Sequence, residues 1–221
     1  MAKKALITYD IITALDWLLT APGSAKKDDP SVTWKEQAQK DWYNKLNRVW
    51  GEMGDAAQAG INYEKEIYRL AGMHKVVGSP EMQKTIELCI GGEFQSKIKK
   101  DVVVAGEECF LFGKCDVLFP DKILDIKTTA KFSEEKYSGS FQHLLYCYIT
   151  GIKDFQYVVT QWAPSSTLEV PVILKTHVIE SGFWGDAKVL EKKVFEKITW
   201  FIESVKSRGD WELYKEKYCL Y

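Results

Sequence analysis

An aspartate and an Asp-x-Lys string stand nine residues apart in mid-chain: Asp116, closing Gly113-Lys114-Cys115-Asp116, and Asp125-Ile126-Lys127. Cys109 to Phe119 and Lys122 to Thr128 are apolar-rich runs divided by Pro120-Asp121. That pattern reads as a β-hairpin with a short turn. Residues i and i+2 of a strand share a face. Asp125 and Lys127 therefore point one way, Ile126 points the other, and Asp116 lies across the turn. Two carboxylates and an ammonium then converge at one edge of a sheet, with the Ile126 carbonyl close by. Such a set suits a hard cation. Magnesium takes oxygen ligands, commonly one or two carboxylates, with water and phosphate completing the shell. A bound ion of this kind acidifies its water and neutralises charge on an attacked phosphate. Lys127 can hold or deprotonate that water, or stabilise the charge that develops. Taken alone, D-x-K is a common string, and a solvated surface hairpin is its ordinary meaning.

The hairpin has company. Gly60-Ile61-Asn62-Tyr63-Glu64 precedes it and Gln142-His143-Leu144-Leu145-Tyr146 follows it. With these four strings in this order, over about residues 60 to 160, the chain resembles the PD-(D/E)XK phosphodiesterase superfamily. Within it, the chain is most similar to the RecB-like exonuclease branch of phages and bacteria. The strings match that family's helical G-x-x-x-(E/H), its strand G-x-x-D, its (D/E)-x-K and its Q-x-x-x-Y. The resemblance implies a restriction-endonuclease-like α/β core, a central mixed β-sheet flanked by helices, here with an N-terminal helical extension. It implies a catalytic set of Glu64, Asp116, Asp125, Lys127, Gln142 and Tyr146. Glu64, Asp116, Asp125 and the Ile126 carbonyl would hold Mg2+ or Mn2+, and Gln142 and Tyr146 would position the lysine and contact substrate. Thr128 and Thr129 are expected to add phosphate contacts.

The implied activity is exonucleolytic hydrolysis of phosphodiester bonds in DNA, in recombination, repair or phage DNA processing. A structure-specific or restriction-type endonuclease is the first alternative, because a scaffold does not fix cleavage mode. A non-catalytic nucleic-acid-binding module is the second, and the complete acidic set with Lys127 argues against it. DNA is the expected partner, with a recombination or single-strand annealing protein and a second copy of the chain as further expectations. Relatives often carry a cysteine, a ligand of an iron–sulfur cluster, just before a proline that here is Pro22. Ala21 stands in that place, so no cluster is expected.

The helices that must position these groups can be phased. Ala56 to Gly72 reads as a helix. At ~100° per residue, Ile61, Ile67, Tyr68 and Ala71 define one face with Glu64 among them, while Glu66 lies opposite with Asn62 and Arg69. A carboxylate on an apolar face is costly unless it is paired or metal-bound. Ser140 to Thr150 reads as a helix with Phe141, Leu144, Leu145, Tyr148 and Ile149 on its apolar face. Gln142 and Tyr146, four apart and so adjacent, fall at its border. Glu93 to Val104 reads as a long strand on which Glu93 and Gln95 share a face with Lys97 and Lys99; the resembled family often places an acidic residue near here, which makes Glu93 a secondary site candidate. Thr128 to Gly139 reads as an active-site loop.

Elsewhere, Thr8 to Thr20, Val32 to Trp50, Glu81 to Ile90, Phe183 to Ser207 and Asp210 to Tyr218 read as helices. Phe155 to Trp162 and Val170 to Ile179 read as strands. Trp34, Trp42 and Trp50, eight residues apart, would form a loose stripe. The expected organisation is one domain over residues 1–221: a helical part to 55, a catalytic core over 56–180, and C-terminal helices over 181–221.

The composition is that of an ordinary globular protein, 46% hydrophobic and 28% charged. A formal net charge of -1 denies the chain a bulk positive field. A nucleic-acid reading must therefore rest on a local groove and a bound ion. Five cysteines without a CxxC pair, and three histidines, make zinc or iron–sulfur ligation unexpected and point to reduced thiols in a cytoplasm. Asp10 and Asp16 interrupt the apolar N-terminal run, against a signal peptide, and no membrane span is expected.

Overall fold

The computed structural model describes residues 4–52, 54–163 and 172–220. They form a mixed β-sheet flanked by helices, the α/β class expected. The chain divides into two compact units, and strands β2 (Glu93–Val104) and β3 (Glu107–Leu118) run through both.

The first unit comprises Met1–Gly51, Lys99–Gly113 and Glu191–Tyr221. It opens on a strand the sequence did not announce, β1 (Lys4–Thr8), parallel to the Cys109–Phe112 half of β3 and antiparallel to β7 (Cys219–Leu220). The burial of β1 alternates, but Leu6 on its less buried face hides that alternation in the sequence, and the two residues of β7 are too few to display one. Thr8 then caps α1 (Tyr9–Thr20) by accepting the Ile11 amide. Helix α2 (Trp34–Leu46) starts at a Thr33–Glu36 capping box and ends four residues before Trp50, where Arg48 adopts a left-handed φ of 57°. The tryptophan stripe does not form. Trp42 is fully buried and donates to Asp210 at 3.0 Å, Trp34 meets Trp17 edge-on, and Trp50 is 73% exposed. Helix α7 (Ala187–Ser207) buries Val194, Ile198, Phe201, Ile202 and Val205. Val189 is exposed because it lies off that row. Helix α8 (Trp211–Tyr218) stacks Tyr214 between Trp211 and Tyr218.

The second unit comprises Glu52–Ile98 and Lys114–Leu190. Its sheet runs β3, β4 (Lys122–Thr129), β5 (Asp154–Trp162), β6 (Ile173–Glu180). Strand β4 is antiparallel to β3 and parallel to β5, and a parallel neighbour requires a crossover, here α6 (Phe141–Thr150). Val170 and Pro171 of the expected last strand lie outside the described residues. Helix α3 (Asp55–Gly72) lays Ala59, Tyr63, Ile67 and Leu70 on Val117, Leu124, Ile126 and Val158, with Ile86 and Cys89 of α4 (Pro80–Cys89) beside them. The element order is that expected of the core: α3, then β2 to β4, then α6, then β5. A short helix, α5 (Glu134–Ser138), interrupts the predicted loop after β4. No helix among the described residues is long and apolar enough to cross a membrane.

Candidate active site

All the residues of the candidate site belong to the second unit. Strands β3 and β4 pair at Val117–Leu124 and Leu118–Ile123, next to their turn. One step further along, a side chain takes the place of a ladder bond: Asp116 Oδ2 accepts the Ile126 amide at 2.8 Å. Asp116 is thereby fixed beside the peptide that follows Asp125. Alternation does the rest. Ile126 is fully buried in the α3 core, while Asp125 and Lys127 share the opposite face, with Lys127 Nζ 2.5 Å from Asp125 Oδ2.

Helix α6 closes over Asp125. Gln142 Nε2 donates to Asp125 Oδ1 at 2.6 Å. Tyr146, hydrogen-bonded to Gln142, holds both the amide and the carbonyl of Lys114 on β3 at 3.3 Å. The pair was expected to position the lysine; in the structure Gln142 reaches Asp125, the lysine's partner. An amide N–H and an ammonium are both donors, so Gln142 orients Asp125, and Asp125 in turn holds Lys127. The helix is also turned from its expected phase. Gln142, His143, Leu145, Tyr146 and Cys147 are buried, whereas Phe141, Leu144, Tyr148 and Ile149 are half-exposed. A buried carboxylate rewards a polar face, so hydrogen bonding overrides apolar periodicity here.

Helix α3 supplies Glu64 from the other side. Its buried row is Ala59, Gly60, Tyr63, Ile67, Leu70 and Ala71, a fraction of a turn from the expected one. Glu64 and Tyr68 fall on its margin, and Ile61 is only half-buried. Glu66 turns away from that row, half-exposed and paired with Arg69 at 2.7 Å, as phased. Gly60 explains the approach: a Cβ there would lie 2.8 Å from Thr128 Oγ1, closer than real Cβ atoms come. Glycine lets α3 sit against β4 so that a glutamate one turn later reaches the site. Thr128 thus underlies Gly60. Thr129 bonds Lys131 through both its amide and its carbonyl, shaping the loop rather than standing free.

Two residues that no motif marked belong to the constellation. Gln95 Nε2 donates to Asp116 Oδ1 at 3.2 Å and to Tyr68 Oη at 2.8 Å, and Tyr68 Oη donates to Glu64 Oε2 at 3.4 Å. Tyr68 was findable, being four residues from Glu64 on a helix. Gln95 was not. Its φ of 57° breaks the strand alternation that grouped it with Glu93, and Glu93 itself is exposed.

The electrostatics follow from this placement. Burial, reinforced by Asp125, pushes the Asp116 carboxyl up to about 7. Burial also raises Glu64, with Lys127 opposing and Asp125 adding to the shift. Burial works against the Lys127 charge, but Asp125, Asp116 and Glu64 more than offset it and hold its pKa above the ordinary lysine range. Burial, then Asp125, raises Tyr146; burial, then Asp116 and Glu64, raises Tyr68, so both stay protonated donors. Burial lowers His143 to about 4, leaving it neutral near pH 7.

No protein-family model matches this sequence, and no curated protein matches it. Among solved structures, the chain is similar to SSO0001 at 12% identity and TM-score 0.49, covering 90% of this chain and 77% of that one. It is similar to a phage-related exonuclease from Haemophilus somnus 129PT at 12% identity and TM-score 0.47, covering 93% and 92%. It is similar to an alkaline exonuclease from Laribacter hongkongensis at 13% identity and TM-score 0.45, covering 96% and 92%.

Among the described residues, no three His, Cys, Asp or Glu side chains stand in ready metal-holding geometry. Each carboxylate is turned to a protein donor: Asp125 to Lys127 and Gln142, Asp116 to Ile126 and Gln95, Glu64 to Tyr68. The donor set nonetheless fits a hard cation. Three acids share one close ammonium, and burial first, with Asp125 adding to it, raises the carboxyls of Asp116 and Glu64. Carboxylate oxygens keep further lone pairs for an ion when one hydrogen bond is already made.

Proposed function

We propose that this chain is a divalent-metal-dependent deoxyribonuclease that hydrolyses phosphodiester bonds, working from DNA ends. One observation carries the reading. Asp116 and Asp125 flank the Ile126 peptide, with Lys127 Nζ 2.5 Å from Asp125 and a further carboxylate supplied by α3. Glu64, Asp116, Asp125 and the Ile126 carbonyl would hold Mg2+ or Mn2+, which when bound supplies Lewis-acid charge and an acidified water. Lys127, held protonated by its acidic neighbours, acts as a fixed positive charge and hydrogen-bond donor toward the attacked phosphate and its water, not as a base. Gln142 keeps Asp125 in register, and Tyr146 ties β3 to α6 so that Asp116 and Asp125 keep their spacing. Thr129 shares the β4 face of Asp125 and Lys127 and would stand nearer the phosphate, whereas Thr128 lies under Gly60 on the other face.

End-directed action is supported by the Gln142/Tyr146 pair, which in the resembled branch accompanies exonucleases. The net charge of -1 agrees, since an enzyme that threads an end needs less bulk basicity to find internal sites. Processing of DNA in recombination, repair or phage replication is the setting this chemistry suits. The test is degradation of matched linear and covalently closed circular DNA, with magnesium and with chelator. Loss of linear DNA to short products while circles survive is expected. Prompt nicking of circles at low enzyme concentration would establish an endonuclease instead.

A further inference from the structure

We infer that Gln95 and Tyr68 are positioning residues for the cation centre, a neutral tether that sets the spacing between Glu64 and Asp116. The inference rests on the reading of that centre as a metal site. A carboxylate accepts only, so the Gln95 amide nitrogen must be the atom that faces Asp116. The same nitrogen donates to Tyr68 Oη, whose own proton is then directed at Glu64. The chain of donors runs one way, from β2 through α3, and ends on two acids carried by different elements. Tyr68 is held in turn by the Phe94 ring, 5.2 Å away between centroids.

The backbone gives a second, independent observation. Gln95 has a φ of 57° inside a twelve-residue strand. A long-chain residue seldom occupies the left-handed region, and such strain persists only where the surroundings over-determine it, typically at sites. Its strand neighbours Glu93 and Lys97 are exposed. The turned backbone takes Gln95 out of that exposed row and delivers its amide between Tyr68 and Asp116. Neutrality is part of the fit. A carboxylate here would face Asp116 as a like charge, whereas the amide donates to it and leaves the site's charge to the ion.

The test uses the full chain and Mn2+ alone, without DNA: calorimetric titration, paired with thermal unfolding of the metal-free protein. Gln95→Gly relieves the φ while deleting the amide. It is expected to weaken Mn2+ binding about 10- to 100-fold, the range for residues that orient metal ligands, while the metal-free melting temperature holds or rises. Tyr68→Phe keeps the ring packing and cuts the relay, and should weaken binding in the same direction by less. Unchanged Mn2+ affinity in Gln95→Gly overturns the inference and leaves the metal centre standing. A fall in affinity matched by a fall in melting temperature also overturns it, since the role is then structural. Failure of the unaltered protein to bind Mn2+ overturns the inference and the nuclease reading together.

Discussion

The two flanks of the site hold their carboxylates by different means. On the α6 flank, Asp125 is 2% exposed, and its oxygens face an ammonium at 2.5 Å and an amide at 2.6 Å. On the α3 and β2 flank, Asp116 and Glu64 meet only neutral donors: a backbone amide, a glutamine and a tyrosine. Neutral hydrogen bonds stabilise a buried charge less than a cation does. Burial, and then Asp125, pushes the Asp116 carboxyl up to about 7 against the opposing pull of Lys127. One flank pairs its carboxylate with a cation of the protein itself, and the other is the flank that the ion of the proposed function would complete.

The sharpest way to break this comparison is to neutralise each aspartate. Asp116→Asn and Asp125→Asn should both lose about 10³-fold or more of magnesium-dependent cleavage. Their effects on the metal-free fold should have opposite signs. Asp116→Asn removes an uncompensated charge and should raise the melting temperature at pH 8. Asp125→Asn strips Lys127 of its partner and should lower stability, by about 1 kcal/mol given that lysine's partial exposure. Retained cleavage in either variant, or shifts of the same sign, would dissolve the distinction.

Lys127→Ala should slow cleavage by about 10²- to 10⁴-fold yet still bind Mn2+, because the lysine balances the site without ligating. Tyr146→Phe should slow it less, since its contact positions a strand. Loss of Mn2+ binding in Lys127→Ala would instead make the lysine structural.

Glu64 and Glu66 sharpen the comparison within a single helix. Glu64→Gln should be inactive. Glu66→Gln loses only an exposed pair with Arg69, worth about 0–1 kcal/mol, and should cleave normally. The reverse result would show that α3 presents the wrong face.

The smallest effect is a slope. Asp116 has a folded pKa of about 7, above the ordinary carboxylate value of about 3.9. A raised folded pKa gives stability that is present below the unfolded value and lost as pH rises through the folded one. Metal-free stability should therefore decline between about pH 4 and pH 7, and Asp116→Asn should flatten part of that decline in denaturant titrations. An unchanged slope in the variant would place the coupling elsewhere.

Much of the second unit was legible because its rules are local. Alternation put Asp125 and Lys127 on one face and Ile126 on the other, Ser140 to Thr150 read as the helix found as α6, and a 100° step separated Glu64 from Glu66. Where partners come from far along the chain, local rules misjudged the face. Helix α6 turned its polar residues inward because Asp125 was there to receive them. Strands β1 and β7 were invisible because pairing partners, not their own few residues, make them strands.

By itself, the sequence determined which atoms could do chemistry and which of them share a face: the two aspartates, the lysine, and a glutamate one helical turn after a glycine. Only the tertiary structure decided how they are held. The fit of Gly60 over Thr128, the carboxylate of Asp116 on the Ile126 amide, and the left-handed turn that swings Gln95 between Tyr68 and Asp116 all join residues distant in sequence. The physical reason is that periodicity fixes a side chain's direction within its own element. Close approach, desolvation and a strained φ exist only once other elements pack against it.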